Sequence, residues 1–224
     1  MRRCWANCWT CRPRRWRTSS RPARSDAAAM IRGGEELRAL AAAPPALRPG
    51  VRRFYFLRHG ETAGNASFIV QSPVIPLNEA GRAQAERAAG RLADAGDITR
   101  IEASSYPRAY ETAQAVARRL AVPMNATPRL GERLFGELVG QTALELDWRA
   151  RPAGGETLEA FVSRTRAAAA DALDGGDVPC LVAHGGNLRV IAAALSVEFL
   201  DEYAPNALPL RFDRTDAGWA VTVL

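Results

Sequence analysis

The stretch Leu57-Arg58-His59-Gly60-Glu61-Thr62 closes an apolar run that begins at Phe54. An apolar run of this length predicts a buried strand, here over 52–57. Polar residues that directly follow such a strand lie at its carboxyl end, where open α/β sheets bind their ligands. The chain has only two histidines, and the second, His184, also follows an apolar run and precedes a glycine. We therefore expect both histidines to belong to one site.

The remaining pattern alternates short apolar runs with amphipathic segments. Asn78 is a helix-capping residue, Gly96 is typical of a helix end, and Pro107 suits a first helical turn. Strands that alternate with helices predict a layered three-layer α/β/α fold with a largely parallel central sheet. The expected strands are 52–57, 100–103, a short one near 123–125, 178–183, 208–212 and 218–223, and the expected helices are 34–43, 79–95, 107–120, 156–173 and 187–195.

The charge is divided unevenly along the 224 residues. Residues 1–50 hold 11 Arg and 3 acidic residues, whereas residues 51–224 hold the other 19 Arg and 21 acidic residues. We expect 51–224 to form one compact domain and 1–50 to be a basic, disordered leader. Residues 1–29 are interpreted either as the beginning of this leader or as an artefact of an upstream start codon, with Met30 as the candidate true start, and an Arg-rich transit peptide is the third alternative.

The acidic balance of 51–224 argues against nucleic acid as a partner, because nucleic-acid binding needs a basic folded face. No apolar run approaches the roughly 20 residues of a membrane span. Together with an arginine-only, alanine-rich composition that is typical of GC-rich bacterial genes, this predicts a bacterial, cytoplasmic protein without a membrane partner.

The cysteines predict no metal site. The spacing of Cys4, Cys8 and Cys11 resembles the cluster ligands of radical SAM enzymes, and three thiolates could also hold zinc. However, no fourth ligand is near and no long barrel follows, so we assign these cysteines to the leader. Cys180 lies within a predicted strand and is expected to be an inert core thiol.

Polar groups stand at three predicted strand ends, namely Arg58-His59, Ser104-Ser105 with Arg108 after it, and His184-Gly185. Glu132 comes from the irregular stretch 128–155. Arginines bind phosphate oxygens in a bidentate fork, a neutral imidazole can attack phosphorus, and a protonated carboxyl can donate to a leaving oxygen. Each residue alone also has a structural interpretation, such as an Arg108–Glu111 ion pair or a solvated Glu132, so the combination carries the prediction.

In combination the motifs resemble those of the histidine phosphatase superfamily, the phosphoglycerate-mutase-like group. Their order and spacing agree across 51–224. The matching motifs are Leu57-Arg58-His59-Gly60-Glu61-Thr62 with Asn65, Pro76-Leu77-Asn78-Glu79-Ala80-Gly81-Arg82, Ser104-Ser105-Tyr106-Pro107-Arg108-Ala109, Leu130-Gly131-Glu132-Arg133-Leu134-Phe135-Gly136, Gly154-Gly155-Glu156-Thr157 and Val182-Ala183-His184-Gly185-Gly186.

The resemblance implies a role for each matching residue. His59 would be the nucleophile that becomes phosphohistidine, and Glu132 would be the proton donor to the leaving group. The phosphate pocket would consist of Arg58, Asn65, Arg108, His184 and the backbone N–H of Gly185. The two arginines would keep His59 neutral, and the phosphate charge would favour the protonated form of Glu132. No metal and no cofactor is implied.

The function that the resemblance implies is a metal-independent phosphomonoesterase acting on a small phosphorylated metabolite. A cofactor-dependent phosphoglycerate mutase is the first alternative, because Arg133 follows Glu132 as in those enzymes, where it can bind a substrate carboxylate. The short stretch 137–155 argues against it, since a short cap leaves the site open to water. An inactive scaffold on the same fold is the second alternative.

The sequence does not name the phosphate ester. Sugar phosphates, α-ribazole phosphate, phosphoglycerates and phosphohistidine in proteins all fit the motifs. Phe68, Ile69 and Leu134 suggest a partly apolar rim, and the oligomeric state is left open.

Overall fold

In the computed structural model, residues 32–224 are described, so the expectations for Cys4, Cys8, Cys11 and Met30 lie outside the described residues. The helices and strands in that range are α1 (Gly34–Ala42), β1 (Arg53–Arg58), α2 (Ala63–Ala66), α3 (Glu79–Ala95), β2 (Arg100–Ser104), α4 (Pro107–Leu120), β3 (Met124–Thr127), α5 (Leu158–Ala172), β4 (Pro179–Ala183), α6 (Gly185–Ala194), β5 (Pro209–Thr215) and β6 (Gly218–Val223). Short 3₁₀ turns occupy Pro128–Leu130, Gly136–Leu138, Ala143–Glu145 and Asp201–Tyr203.

The six strands form one sheet in the order β3-β2-β4-β1-β5-β6. β1, β2, β3 and β4 are mutually parallel, and β5 and β6 form an antiparallel hairpin next to β1. The carboxyl ends of β1, β2 and β4 consequently lie at the same edge of the sheet. The expectation of a largely parallel central sheet is confirmed.

Helices cover the sheet on both faces, and the side chains of β1 alternate between the two cores that result. Phe54 and Phe56 belong to a core that also contains buried residues of α5 and α6. Tyr55 and Leu57 belong to a second core, which contains buried residues of α3 and α4. A continuous apolar run, rather than an alternating one, is what a strand buried on both faces requires. The three-layer α/β/α arrangement is therefore confirmed.

A third apolar cluster joins α1 to the irregular region that covers the carboxyl edge of the sheet. Leu37 and Ala41 of α1 are buried in it together with Phe135 and Trp148. The helix packs against α5 and α6. The packed body of the protein thus extends N-terminally to α1, beyond the boundary that we expected near residue 51.

Several expected boundaries shift in ways that matter locally. Asn78 caps α3 and Gly96 ends it, both as expected. The helix expected over 187–195 instead begins at Gly185, so that its amino terminus directly follows His184. The helix expected from residue 156 begins at Leu158, because the side chain of Thr157 accepts the N–H of Ala160 and caps it.

Two further expectations concern Cys180 and membrane-spanning helices. Cys180 is buried in β4, and burial raises the pKa of its thiol to about 12, which fits an inert core residue. Within residues 32–224, no helix is both long enough and apolar enough to cross a membrane.

Candidate active site

The register of the parallel strands places the two histidines side by side. Arg58 at the end of β1 pairs with Ala183 at the end of β4. The next residue on each strand is a histidine, and the ring centroids of His59 and His184 are 5.0 Å apart. Both imidazoles are almost completely buried. The structure therefore brings the two histidines together, as we expected from the sequence.

His59 is oriented as a neutral imidazole with one nitrogen free. Its Nδ1–H donates to the carbonyl of Gly60 at 2.7 Å, which leaves the lone pair of Nε2 available. Burial lowers the pKa of His59 well below its ordinary value, and the positive charges of Arg58 and Arg108 lower it further. The arginines act in the expected direction, although desolvation is the larger cause.

The loop that carries His59 is fixed by the amino terminus of α3. Asn78 donates its N–H to the carbonyl of Glu61 and its side-chain amide to the Glu61 carboxylate. Gly60 and Gly81 approach so closely that a Cβ atom on either would overlap the backbone of the other segment. The Pro76–Arg82 motif therefore belongs to the site as its support rather than as a ligand.

Arg58 and Arg108 place two buried cations beside the histidines. One nitrogen of each is held by backbone carbonyls, that of Ala204 for Arg58 and that of Ser72 at 3.1 Å for Arg108. The Nε atoms of both arginines are buried and have no hydrogen-bond partner in the protein. Burial lowers the pKa of both guanidinium groups, which a nearby carboxylate, Glu132, partly offsets. Two buried, positively charged groups that each have a hydrogen-bond donor without an acceptor favour an anionic ligand.

His184 supplies a third unsatisfied nitrogen. Its Nε2 lies 2.9 Å from the hydroxyl of Ser104, whereas its Nδ1 is buried without a partner. When the Ser104 hydroxyl donates to Nε2, the proton of the neutral ring is on Nδ1, which becomes a donor. Burial, followed by the charge of Arg108, lowers the pKa of His184 well below its ordinary value.

Glu132 is held against the amino terminus of α6. Its Oε2 accepts the N–H of Gly186 at 3.0 Å, and its Oε1 accepts the N–H of Arg133 at 3.0 Å. A side chain at position 186 would overlap Glu132 and the ring of Trp148, so only glycine allows this approach. The N–H of Gly185 belongs to the first turn of α6 and has no intrahelical acceptor. A Cβ atom added to Gly185 would lie 3.7 Å from Nε of Arg58.

Asn65 lies in the pocket with its amide oxygen already used. That oxygen accepts the N–H of Thr62 at 3.2 Å and the Asn206 amide at 3.3 Å, so the NH₂ group is the end available to a ligand. Asn206 also donates to the carbonyl of His59 at 2.9 Å. Sequence reasoning missed Asn206 and Gln71, since no local pattern marks a lone amide in a loop.

Arg133 does not serve the role that the mutase alternative gave it. Only 2% of its surface is exposed, and its guanidinium donates to three backbone carbonyls, those of Trp148, Ala150 and Glu156. It ties the stretch 148–150 to the start of α5. The expectation that it could bind a substrate carboxylate is wrong for this chain, because its guanidinium is buried against backbone carbonyls and does not line the pocket.

These residues enclose a cavity of about 260 Å³. Of the expected rim residues, Ile69 lines it, whereas Phe68 and Leu134 do not. A larger cavity of about 450 Å³, between 45–48 and α5, contains none of the predicted site residues. The residues that line the histidine pocket are Arg58, His59, Asn65, Ile69, Val70, Gln71, Arg108, Glu132, Phe135, Ala143, Leu146, Trp148, Gly185, Gly186, Arg189, Phe199 and Ala204.

The geometry defines a site for nucleophilic chemistry on an anion. An uncharged imidazole with a free Nε2 lines a pocket in which Nε of Arg58, Nε of Arg108 and Nδ1 of His184 have no partner. A carboxyl group stands at the edge of the same pocket. In residues 32–224, no group of three His, Cys, Asp or Glu side chains is arranged to hold a metal ion.

Comparison with known proteins agrees with this geometry. Residues 54–222 match the profile of the histidine phosphatase superfamily (branch 1), and the chain belongs to that superfamily. The sequence is 35% identical over 168 residues to glucosyl-3-phosphoglycerate phosphatase of Mycolicibacterium vanbaalenii, covering 65% of this chain and 74% of the relative. It is 34% identical over 152 residues to phosphoglycerate mutase-like protein 4 of Arabidopsis thaliana, covering 59% of this chain and 66% of the relative.

A solved structure shows the same fold. The mycobacterial glucosyl-3-phosphoglycerate phosphatase in complex with VO3 has a TM-score of 0.63 and 28% identity, over 77% of this chain and 98% of that chain. The relatives include proteins named as phosphatases and as mutases. They therefore support an enzyme of this superfamily and, more specifically, a phosphatase with an unassigned substrate.

Proposed function

We propose that the protein is a phosphomonoesterase that acts through a phosphohistidine at His59 and needs no metal ion. One observation carries the proposal. The Nε atoms of Arg58 and Arg108 and Nδ1 of His184 are buried without partners around an imidazole whose Nε2 is free. A phosphoryl group offers the oxygens that these three nitrogens lack, with its phosphorus in front of His59.

The reaction follows from these positions. Nε2 of His59 attacks phosphorus, the bond from phosphorus to the ester oxygen breaks, and Glu132 transfers its proton to that oxygen. Water then attacks phosphorus while Glu132 accepts a proton from the water, the bond from phosphorus to Nε2 of His59 breaks, and inorganic phosphate leaves. The arginines and His184 stabilise the charge on the equatorial oxygens through their fixed positions.

Hydrolysis is favoured over phosphoglycerate mutation by the state of Arg133. A mutase must hold a carboxylate-bearing intermediate long enough for the phosphoryl group to return. The guanidinium of Arg133, the expected carboxylate ligand, is occupied by three backbone carbonyls. The names of relatives such as the probable phosphoglycerate mutase GpmB of Yersinia pestis keep the mutase as the competing function.

The expected partner is a small phosphate ester rather than nucleic acid or a membrane, and we propose a cytoplasmic location. The net charge of −2 for residues 51–224, obtained from 19 Arg and 21 acidic residues, supports a partner other than nucleic acid.

Hydrolysis of p-nitrophenyl phosphate tests the proposal. Wild-type protein should release phosphate in the presence of EDTA, and His59→Ala should abolish release without lowering the melting temperature by more than a few degrees. Wild type, but not His59→Ala, should form an acid-labile phosphoenzyme. Efficient isomerisation of 3-phosphoglycerate with a bisphosphoglycerate primer would replace the phosphatase by the mutase. Absence of turnover on all esters would favour the scaffold.

A further inference from the structure

Eight of the residues that line the pocket are apolar, and Trp148 among them lies next to Glu132. We define the apolar wall as the pocket-lining residues Ile69, Val70, Phe135, Ala143, Leu146 and Trp148. Trp148 Cη2 and Glu132 Oε1 both lie within 2.7 Å of the point that a Cβ on Gly186 would occupy. Because Glu132 is the proposed proton donor to the leaving group, the leaving group would lie on the side of the pocket that Trp148 lines.

Several backbone N–H and C=O groups of the wall already have hydrogen-bond partners within the protein. The segments 68–70 and 140–143 pair with each other, and Trp148 is fixed from both sides, by Arg32 and by Arg133. The N–H groups of Ile69, Val70, Ala143 and Trp148 donate to the carbonyls of Gly64, Gln141, Phe68 and Arg32. The carbonyls of Val70 and Trp148 accept from Gly140 and Arg133.

Three of the six residues of the wall are tightly packed. Val70, Phe135 and Trp148 are each less than 8% exposed, and they pack in the cluster that contains Leu37 of α1. The rings of Phe135 and Trp148 meet edge to face with centroids 5.5 Å apart. Contact between apolar ligand atoms and such a surface makes the binding free energy more favourable, whereas desolvation of hydroxyls or carboxylates against it makes binding less favourable.

Building on the proposed function, we propose that the substrate is a phosphate monoester with an apolar leaving group. Glucosyl-3-phosphoglycerate, the substrate named for the mycobacterial relatives, carries hydroxyls and a carboxylate that the apolar wall cannot satisfy. Arg189 is the one charged lining residue outside the set around His59, and its guanidinium stacks 4.0 Å from the centroid of Phe199.

The test compares three esters that all release a primary alcohol, so that their intrinsic reactivities are similar. These are benzyl phosphate, glycerol 3-phosphate and 3-phosphoglycerate. We expect kcat/KM for benzyl phosphate to exceed the other two at least about tenfold, the discrimination that a hydrophobic pocket typically gives. A value for 3-phosphoglycerate equal to or above that for benzyl phosphate would overturn the inference and direct attention to Arg189.

Two variants and a matched control locate the effect. Leu146→Ser and Ile69→Ser should each lower kcat/KM for benzyl phosphate about threefold to tenfold more than kcat/KM for glycerol 3-phosphate. The control is Leu144→Ser, because Leu144 lies in the neighbouring 3₁₀ turn but is 71% exposed and does not line the pocket. An equal loss in all three variants, or in none, would contradict the assignment of the wall.

Binding of phosphonates separates this inference from the proposed reaction, since phosphonates bind without being hydrolysed. Calorimetry should give at least a tenfold lower Kd for benzylphosphonate than for 2-hydroxyethylphosphonate. Failure of every ester to react, with this binding preference present, would remove the phosphatase but retain the apolar subsite. Equal Kd values would remove the subsite even in an active phosphatase.

Discussion

Replacement of Gly186 by alanine should cut catalysis about a hundredfold with little effect on the overall fold. The new Cβ would lie 2.7 Å from Trp148 Cη2, 2.9 Å from Phe161 Cζ and closer still to Glu132 Oε1. Ordinary contacts of a methyl carbon begin near 3.5 Å, so the Glu132 carboxyl must retreat by about 1 Å. A displacement of that size in a catalytic group costs about 100-fold, equivalent to about 2.7 kcal/mol in the barrier.

The assay should use two esters with different leaving groups. Benzyl phosphate needs a proton on its leaving oxygen, whereas p-nitrophenolate leaves readily without one, so Gly186→Ala should affect benzyl phosphate more strongly. The matched control is Gly90→Ala in α3, because a Cβ at Gly90 would have no heavy atom within 4 Å and Gly90 does not line the pocket. This control should lose no more than about threefold. A Gly186→Ala enzyme that retains a third of the wild-type kcat/KM on benzyl phosphate would refute the reasoning.

Three further predictions concern stability. Because His59 and His184 have folded-state pKa values below the ordinary value of 6.5, the unfolding free energy should be highest above about pH 6.5. Below that pH it should fall by up to about 1.4 kcal/mol per pH unit for each histidine, as urea titrations in phosphate-free buffer will show; a flat profile would contradict their neutral, buried state. Leu37→Ala should lower the free energy of unfolding by about 2–5 kcal/mol, and the control Arg38→Ala, at an exposed position of the same helix, by less than about 0.5 kcal/mol. Equal, negligible effects of the two substitutions would show that α1 is not part of the packed domain. Arg133→Met should destabilise by about 3 kcal/mol in the same titrations, because three carbonyls lose their donor, and a selective loss of 3-phosphoglycerate binding instead would restore its mutase role.

Much of the site could be predicted from the chain alone because its residues stand in local patterns. His59 and His184 each follow an apolar run and precede a glycine, and parallel strands must bring such ends to one edge. Arg108 follows a proline that starts a helix after β2, so its place at the same edge is also a local consequence. The histidine phosphatase resemblance that these motifs carry is confirmed by the match over 54–222.

Other features depend on which distant segments meet. Arg133 looked available beside Glu132, yet it is consumed by carbonyls 15 and 17 residues later, at Trp148 and Ala150. Asn206 reaches His59 across 147 positions of sequence. Neither contact leaves a periodic or compositional signal in the chain. The same is true of α1, whose weak amphipathic pattern does not show that it packs behind Trp148.

The sequence by itself thus determined the α/β class, the strand ends and the identity of the residues around His59, because burial and helix capping are recorded within a few neighbouring residues. Only the tertiary structure decided where the site begins and ends. It turned Arg133 inward, brought Glu132 against the amino terminus of α6 and placed Trp148 beside Glu132. These outcomes depend on close packing between segments far apart in the chain, where a single side chain has room for one partner only.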